Sequence, residues 1–181
     1  MDNDVTVRPE DKEIAAQIVA GDDLSAIVKS HLYLESFIAE AIEGYVSFPQ
    51  YLRLERMTFI QKARLAASLG IIEPRFYDPI VKLNALRNRV VHDLHTTLED
   101  AEIQALFDSL PPKTRERIAA ESLPAGYDDV LRRRFRFSRV VVVILGRIWA
   151  RRDIFVELRK TLPPDQYAMM QHMLTGRHLT P

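Results

Sequence analysis

The sequence has no cysteine among its 181 residues. This absence excludes disulfides, thiolate metal sites and a cysteine nucleophile, and it gives no reason to expect an oxidising compartment. Net charge is also missing, because 25 Lys and Arg residues balance 25 Asp and Glu residues. A neutral chain has no general electrostatic attraction for nucleic acid, although a local basic patch remains compatible with it. Because the composition gives no sign of an oxidising compartment, we expect a cytoplasmic protein.

The chain also lacks a long hydrophobic run. The longest, Val140 to Leu145, is broken by Gly146 and is well short of the roughly 20 residues that cross a bilayer. The first twenty residues carry five acidic side chains instead of the basic start and apolar stretch of a secretory signal. We therefore expect no membrane association.

Motifs for cofactors and metals are missing as well. There is no glycine-rich phosphate loop, no His-Glu-x-x-His pair and no nucleophile elbow. The five histidines are scattered and have no cysteine to complete a metal site. These absences disfavour cofactor-dependent enzymes, and we expect neither a cofactor nor a metal.

Hydrophobic residues make up 47% of the chain, enough for the core of one globular domain over residues 1–181. Apolar side chains recur at helical spacing, and no segment alternates with period two or offers a strand partner to the valine run. We expect an all-α fold with its core over about residues 22–160 and a C-terminal extension over 161–181. The predicted helices cover residues 9–20, 22–47, 58–70, 99–109, 113–121, 128–160 and 165–174, and a further one begins at 74 or 78 and reaches 94.

The predicted helix around residue 84 carries an arginine where an apolar side chain is expected. With Asn84 set at zero and about 100° per residue, the apolar arc lies between roughly 260° and 340°. Arg87 falls at about 300°, inside that arc. A guanidinium there is costly unless it is paired or faces a polar cleft. The neighbouring strip of the helix is polar and consists of Asn84, Asn88, His92 and His95.

The helix over 22–47 has a matching irregularity, because His31 and Glu35 interrupt its apolar stripe. In a purely structural interpretation, Glu35 neutralises Arg87 across the helix packing and His31 is a hydrogen-bonded core histidine. In a functional interpretation, the polar groups of the two helices belong to one site.

Arg87, the polar residue Asn88, three further residues and His92 together resemble the Arg-polar-three-residue-His signature of the HEPN superfamily, a group of all-helical domains. The preceding His31–Phe37 segment and the Leu69-Gly70-Ile-Ile turn follow in the family's order. The resemblance covers about residues 22–106. The Leu-Gly-Ile turn, the His-Asp end of the helix and an acidic segment after it are also similar to regulators of the mannitol operon repressor group.

The HEPN resemblance implies an up-down helical bundle, here with additional C-terminal helices. It also implies a metal-independent endoribonuclease of the toxin–antitoxin or phage-defence type, in which the RNA 2′-hydroxyl attacks its own phosphate. His92 suits proton transfer, because an unperturbed imidazole titrates at about 6.5. Arg87 suits the phosphate, and Asn88 can orient the imidazole or a phosphate oxygen. Such a protein acts on RNA and can have a cognate antitoxin protein.

The spacing of the motif constrains how the site is built. Arg87 and His92 are five residues apart and therefore about 140° apart around one helix, so a single copy converges poorly. Two copies packed about a two-fold axis bring both motifs to one cleft, which predicts a homodimer. Glu35 and His31 are candidates to hold Arg87 or His92 in place. The alternative function is a non-catalytic regulator that acts through protein partners.

One strongly basic stretch stands out in the neutral chain. Residues 131–139 contain five arginines and two phenylalanines, which can bind phosphates and stack on bases. The alternative is a solvated helix face whose phenylalanines pack inward. The candidate RNA-binding residues are Arg132, Arg133, Arg134, Arg136 and Arg139.

Overall fold

The computed structural model describes residues 9–92, 97–123 and 125–175. These residues form α-helices and two single 3₁₀ turns, Pro49–Tyr51 and Leu54–Arg56, with no strand among them. The all-α prediction is therefore confirmed. The helices are α1 (Pro9–Ala20), α2 (Asp23–Tyr45), α3 (Phe59–Ser68), α4 (Pro74–His92), α5 (Asp100–Asp108), α6 (Pro112–Ala119), α7 (Asp129–Thr161) and α8 (Pro164–Thr175).

Side-chain caps determine where three of these helices begin. Asp22 accepts a hydrogen bond from the Ser25 amide at the start of α2, and Asp128 accepts one from the Leu131 amide at the start of α7. Thr58 and Gln61 exchange both bonds of a capping box before α3. Helix α4 begins at Pro74 and contains Pro79, so the earlier of the two predicted starts is the one observed.

Helices α2 and α7 form the centre of the core. Three contacts join successive positions along them: Asp23 with Arg134, Phe37 with Trp149, and Tyr45 with Phe155. Because the residue numbers rise together on both helices, α2 and α7 run parallel. The valine run lies in α7 as predicted, and all its side chains are buried.

Helix α4 runs antiparallel to this pair. Near its start, the Phe76 ring lies 5.7 Å from the guanidinium carbon of Arg147, which is in the middle of α7. Further along, Asn84 meets His31 in the first half of α2. After α4, the Leu98 amide donates to Asp23 at the beginning of α2. As the residue numbers along this segment rise, its contacts move toward the beginning of α2, so α4 runs in the direction opposite to α2.

The remaining helices cover this centre. Helix α1 packs against α7 and α2 and buries Ile14 and Ile18. Helix α5 packs on α7 and α4, and α8 contacts α7. Within the described ranges, no helix combines the length and apolar character that a bilayer crossing requires.

Candidate functional site

Arg87 and Asn88 lie side by side near the end of α4. Arg87 Nη1 donates a hydrogen bond of 3.3 Å to Asn88 Oδ1, and the contact is exposed to solvent. Arg87 is half-buried and Asn88 is exposed, whereas Leu83, Leu86 and Val90 of the same helix are buried. Arg87 thus lies at the border of the apolar face, with its guanidinium reachable from solvent.

His31 of α2 contacts α4 one turn before Asn88 and so joins α2 to α4. Its Nε2 lies 3.3 Å from Asn84 Oδ1, one turn before Asn88. An amide oxygen only accepts, so this contact requires a proton on Nε2. The imidazole also packs on the Phe59 ring of α3, with ring centroids 4.3 Å apart. His31 of α2 is therefore contacted from both α3 and α4.

Glu35 is paired with Lys62 rather than with Arg87. Lys62 Nζ donates to Glu35 Oε1 at 2.7 Å, and the more distant His31 Nδ1 lies 3.9 Å from Glu35 Oε2. The purely structural interpretation of Arg87 as the partner of Glu35 is thus wrong. Among the residues that the structure describes, Arg87 forms no ion pair with a carboxylate.

Sequence reasoning missed Lys62, although a signal was present. Phe59, Ala63 and Ala66 make the apolar stripe of α3, and Lys62 lies on the same face. Its position repeats the anomaly of Arg87 on α4. Lys62 is buried, which means that its charge needs the Glu35 carboxylate nearby.

Burial lowers the pKa of His31 below its ordinary value of 6.5. The positive charges of Arg87 and Lys62 act in the same direction, while the hydrogen bond to Asn84 and the Glu35 carboxylate oppose the shift. His31 is therefore neutral at pH 7.

The other predicted site residues differ in how far the structure describes them. His92 is the last residue of α4, and its side chain lies outside the described part of the structure. His95 is outside the described residues altogether. The structure thus joins Arg87 to Asn88 and joins His31 to Asn84, one turn earlier on α4, while the role of His92 stays a prediction.

The basic stretch at the start of α7 is divided between internal and exposed arginines. Arg134 Nε lies 2.6 Å from Asp23 Oδ1, and its Nη1 donates to the Gly21 carbonyl oxygen. Arg139 is paired with Glu121. These two arginines therefore stabilise the fold, and their predicted contact with RNA stays untested.

The remaining arginines of this stretch lie closer to solvent. Arg132 and Arg136 are exposed one turn apart, and Arg133 is half-buried. Arg132 lies 3.6 Å from Asp129 in an exposed pair. Phe137 is fully buried and packs inward, as the structural alternative for this segment predicts, whereas Phe135 is half-buried.

Comparison with known proteins identifies no relative, since no family model, curated protein or solved structure matches this chain. Across the described part of the chain, no three histidine or carboxylate side chains are grouped so that they could hold a metal ion. The candidate site therefore consists of Arg87 and Asn88 on α4, supported by His31, Asn84 and the Glu35–Lys62 pair.

Proposed function

We propose that this protein is a metal-independent endoribonuclease of toxin or defence type. The observation that carries the proposal is the state of Arg87. Glu35, the carboxylate that could have neutralised it, is engaged by Lys62. Arg87 is left half-buried at the border of the apolar face of α4, where its hydrogen bond to Asn88 is exposed to solvent. A guanidinium in this state can make two charge-assisted hydrogen bonds to a phosphate.

The proposed reaction uses only protein side chains and the RNA itself. The RNA 2′-hydroxyl attacks the adjacent phosphorus, its proton passes to a base, and the 5′-oxygen leaves with a proton from an acid. We assign proton transfer to His92 and stabilisation of the phosphate oxygens to Arg87. Asn88, which already contacts Arg87, orients the guanidinium or a phosphate oxygen.

His31 is proposed as a positioning residue. It is buried and neutral, and it reaches Asn84 on the same face of α4 as Asn88. Spacings of four residues place Asn84, Asn88 and His92 along one strip of a helix. Fixing Asn84 therefore fixes the rotation of the strip that carries the reacting groups.

A homodimer follows from the chemistry of two proton transfers. One copy places Arg87 and His92 about 140° apart around α4, which is unsuited to a single compact site. A two-fold axis beside the end of α4 supplies two arginines and two histidines to one cleft. One histidine then serves as the base and the other as the acid.

The test is incubation of RNA with purified protein in excess EDTA, followed by gel analysis. We expect wild type to cleave and both Arg87→Ala and His92→Ala to lose at least about 100-fold in rate, the usual contribution of an acid–base or oxyanion group. Arg75→Ala, on the first turn of α4, and His172→Ala, outside the motif, are matched controls and should cleave normally. Equal cleavage by all variants would refute the assignment.

The second candidate is a non-catalytic regulator similar to the mannitol operon repressor group. It is favoured by the neutral chain and by the internal ion pairs of Arg134 and Arg139, which reduce the basic surface left for RNA. A regulator would leave every RNA substrate intact in the same assay and would bind a protein partner. A nuclease of this type would instead have an antitoxin as its protein partner.

A further inference from the structure

A cavity opens between α5, α6 and α7, and neither Arg87 nor its neighbours line it. Its volume is about 590 Å³, inside the range of about 300–1,000 Å³ typical of small-molecule sites. The wall is mainly apolar and includes Ile103, Phe107, Ile118, Phe135 and Val140. The two phenylalanine rings supply the flat surfaces that an aromatic or alicyclic molecule packs against.

Two charged side chains of the cavity wall have no ion-pair partner among the described residues, the cation Arg136 and the anion Asp100. Arg139 and Glu121 both line the wall and are paired with each other, so their charges cancel. Arg136 is exposed at the cavity and forms no ion pair with a described residue. Asp100 is exposed in the first turn of α5, where the helix amides favour a negative charge.

One buried hydrogen-bond donor of this wall also lacks an acceptor. Arg139 Nε is buried and no described group accepts a hydrogen bond from it. A ligand that supplies an acceptor group therefore fits the wall better than one that supplies another donor. We propose that the cavity binds a small carboxylate with an apolar ring body, whose ring lies between Phe107 and Phe135 and whose carboxylate pairs with Arg136.

The proposal is tested by isothermal titration calorimetry of the full chain with three probes of one shape. Naphthaleneacetate is the carboxylate, naphthylethanol is its neutral counterpart and naphthylethylamine is the cationic one. We expect one naphthaleneacetate per chain, with the alcohol at least about tenfold weaker, because it loses a charge-assisted contact. The amine should be weaker still.

Two pairs of variants locate the binding. Arg136→Ala should lower the affinity for naphthaleneacetate to that of the alcohol, whereas Arg132→Ala, one turn away on the same helix and outside the cavity, should not. Ala119→Trp introduces an indole at the wall and should abolish binding, whereas Ala85→Trp on the exposed side of α4 should leave it unchanged.

Three results would overturn the proposal. One is the absence of saturable binding of naphthaleneacetate to the wild type. Another is equal affinity for the three probes, which would mean that burial of the ring alone drives binding. The third is an equal effect of Arg136→Ala and Arg132→Ala, which would place the carboxylate elsewhere. None of these measurements depends on whether the protein cleaves RNA.

Discussion

Asp23 is the side chain whose removal should reveal most about how this fold is held together. Its Oδ1 lies 2.6 Å from Arg134 Nε of α7, and its Oδ2 accepts a hydrogen bond of 2.9 Å from the Leu98 amide. Both contacts are largely withdrawn from water, since Asp23 is 8% exposed and the Arg134 side chain 17%. One carboxylate therefore joins the start of α2 to α7 and to the segment before α5.

The expected cost of Asp23→Ala is about 3 to 4 kcal/mol, because breaking one side of a buried ion pair costs about 3 to 5 kcal/mol and a buried donor without an acceptor about 1 to 3 kcal/mol. We take a value below the sum because Arg134 keeps its bond to the Gly21 carbonyl oxygen. With a urea m-value of about 2 kcal/mol per molar, the unfolding midpoint should fall by roughly 1.5 to 2 M.

The assay is urea unfolding followed by far-ultraviolet circular dichroism. Asp129→Ala is the matched control, because the Asp129 side chain is 90% exposed and its pair with Arg132 is 3.6 Å long. That variant should change stability by no more than about 0.5 kcal/mol. Adding Arg134→Met to Asp23→Ala should recover part of the loss by removing the unpaired charge. A loss for Asp23→Ala as small as that for Asp129→Ala would refute the reasoning.

Two further predictions concern the interior. Burial lowers the pKa of His31, so as the pH falls the imidazole is protonated in the unfolded protein before it is protonated in the folded one. The stabilisation of the folded state by the neutral imidazole is therefore fully present above about pH 6.5 and is lost as the pH falls toward the pKa of His31 in the folded protein. Urea unfolding of wild type and His31→Gln across this range should show a steeper loss in the wild type, and parallel curves would contradict it. Phe155→Ala removes a fully buried ring whose centroid lies 4.7 Å from that of Tyr45, edge to face. The free energy of unfolding should fall by about 3 to 5 kcal/mol. A fall below about 1 kcal/mol would contradict the tight packing of α2 on α7 at this position.

The helices were predictable because their signals are local. Asp22, Thr58 and Asp128 stand where the predicted helices start, and in the structure each side chain accepts a hydrogen bond from an amide three residues on. The two short 3₁₀ turns between α2 and α3 were not predicted, because three residues are too few to show a periodicity.

The pairing of charges across helices could not be predicted in the same way. Arg87 and Lys62 both interrupt apolar faces, and either could have met Glu35. Which of the two cations meets Glu35 depends on the rotation of α3 and α4 about their own axes relative to α2. The spacing of apolar residues determines that rotation only to within a broad arc.

The identity of the RNA ends produced by the wild-type protein tests the central claim most directly. A short labelled RNA is incubated with the protein in EDTA, and the fragments are treated with and without a phosphatase that opens and removes cyclic phosphates. Attack by the 2′-hydroxyl predicts that the wild-type protein leaves 2′,3′-cyclic phosphate and 5′-hydroxyl ends. The Arg87→Ala variant should not form these products. Fragments with 3′-hydroxyl and 5′-phosphate ends, or RNA left intact across a panel of structured and unstructured substrates, would contradict it.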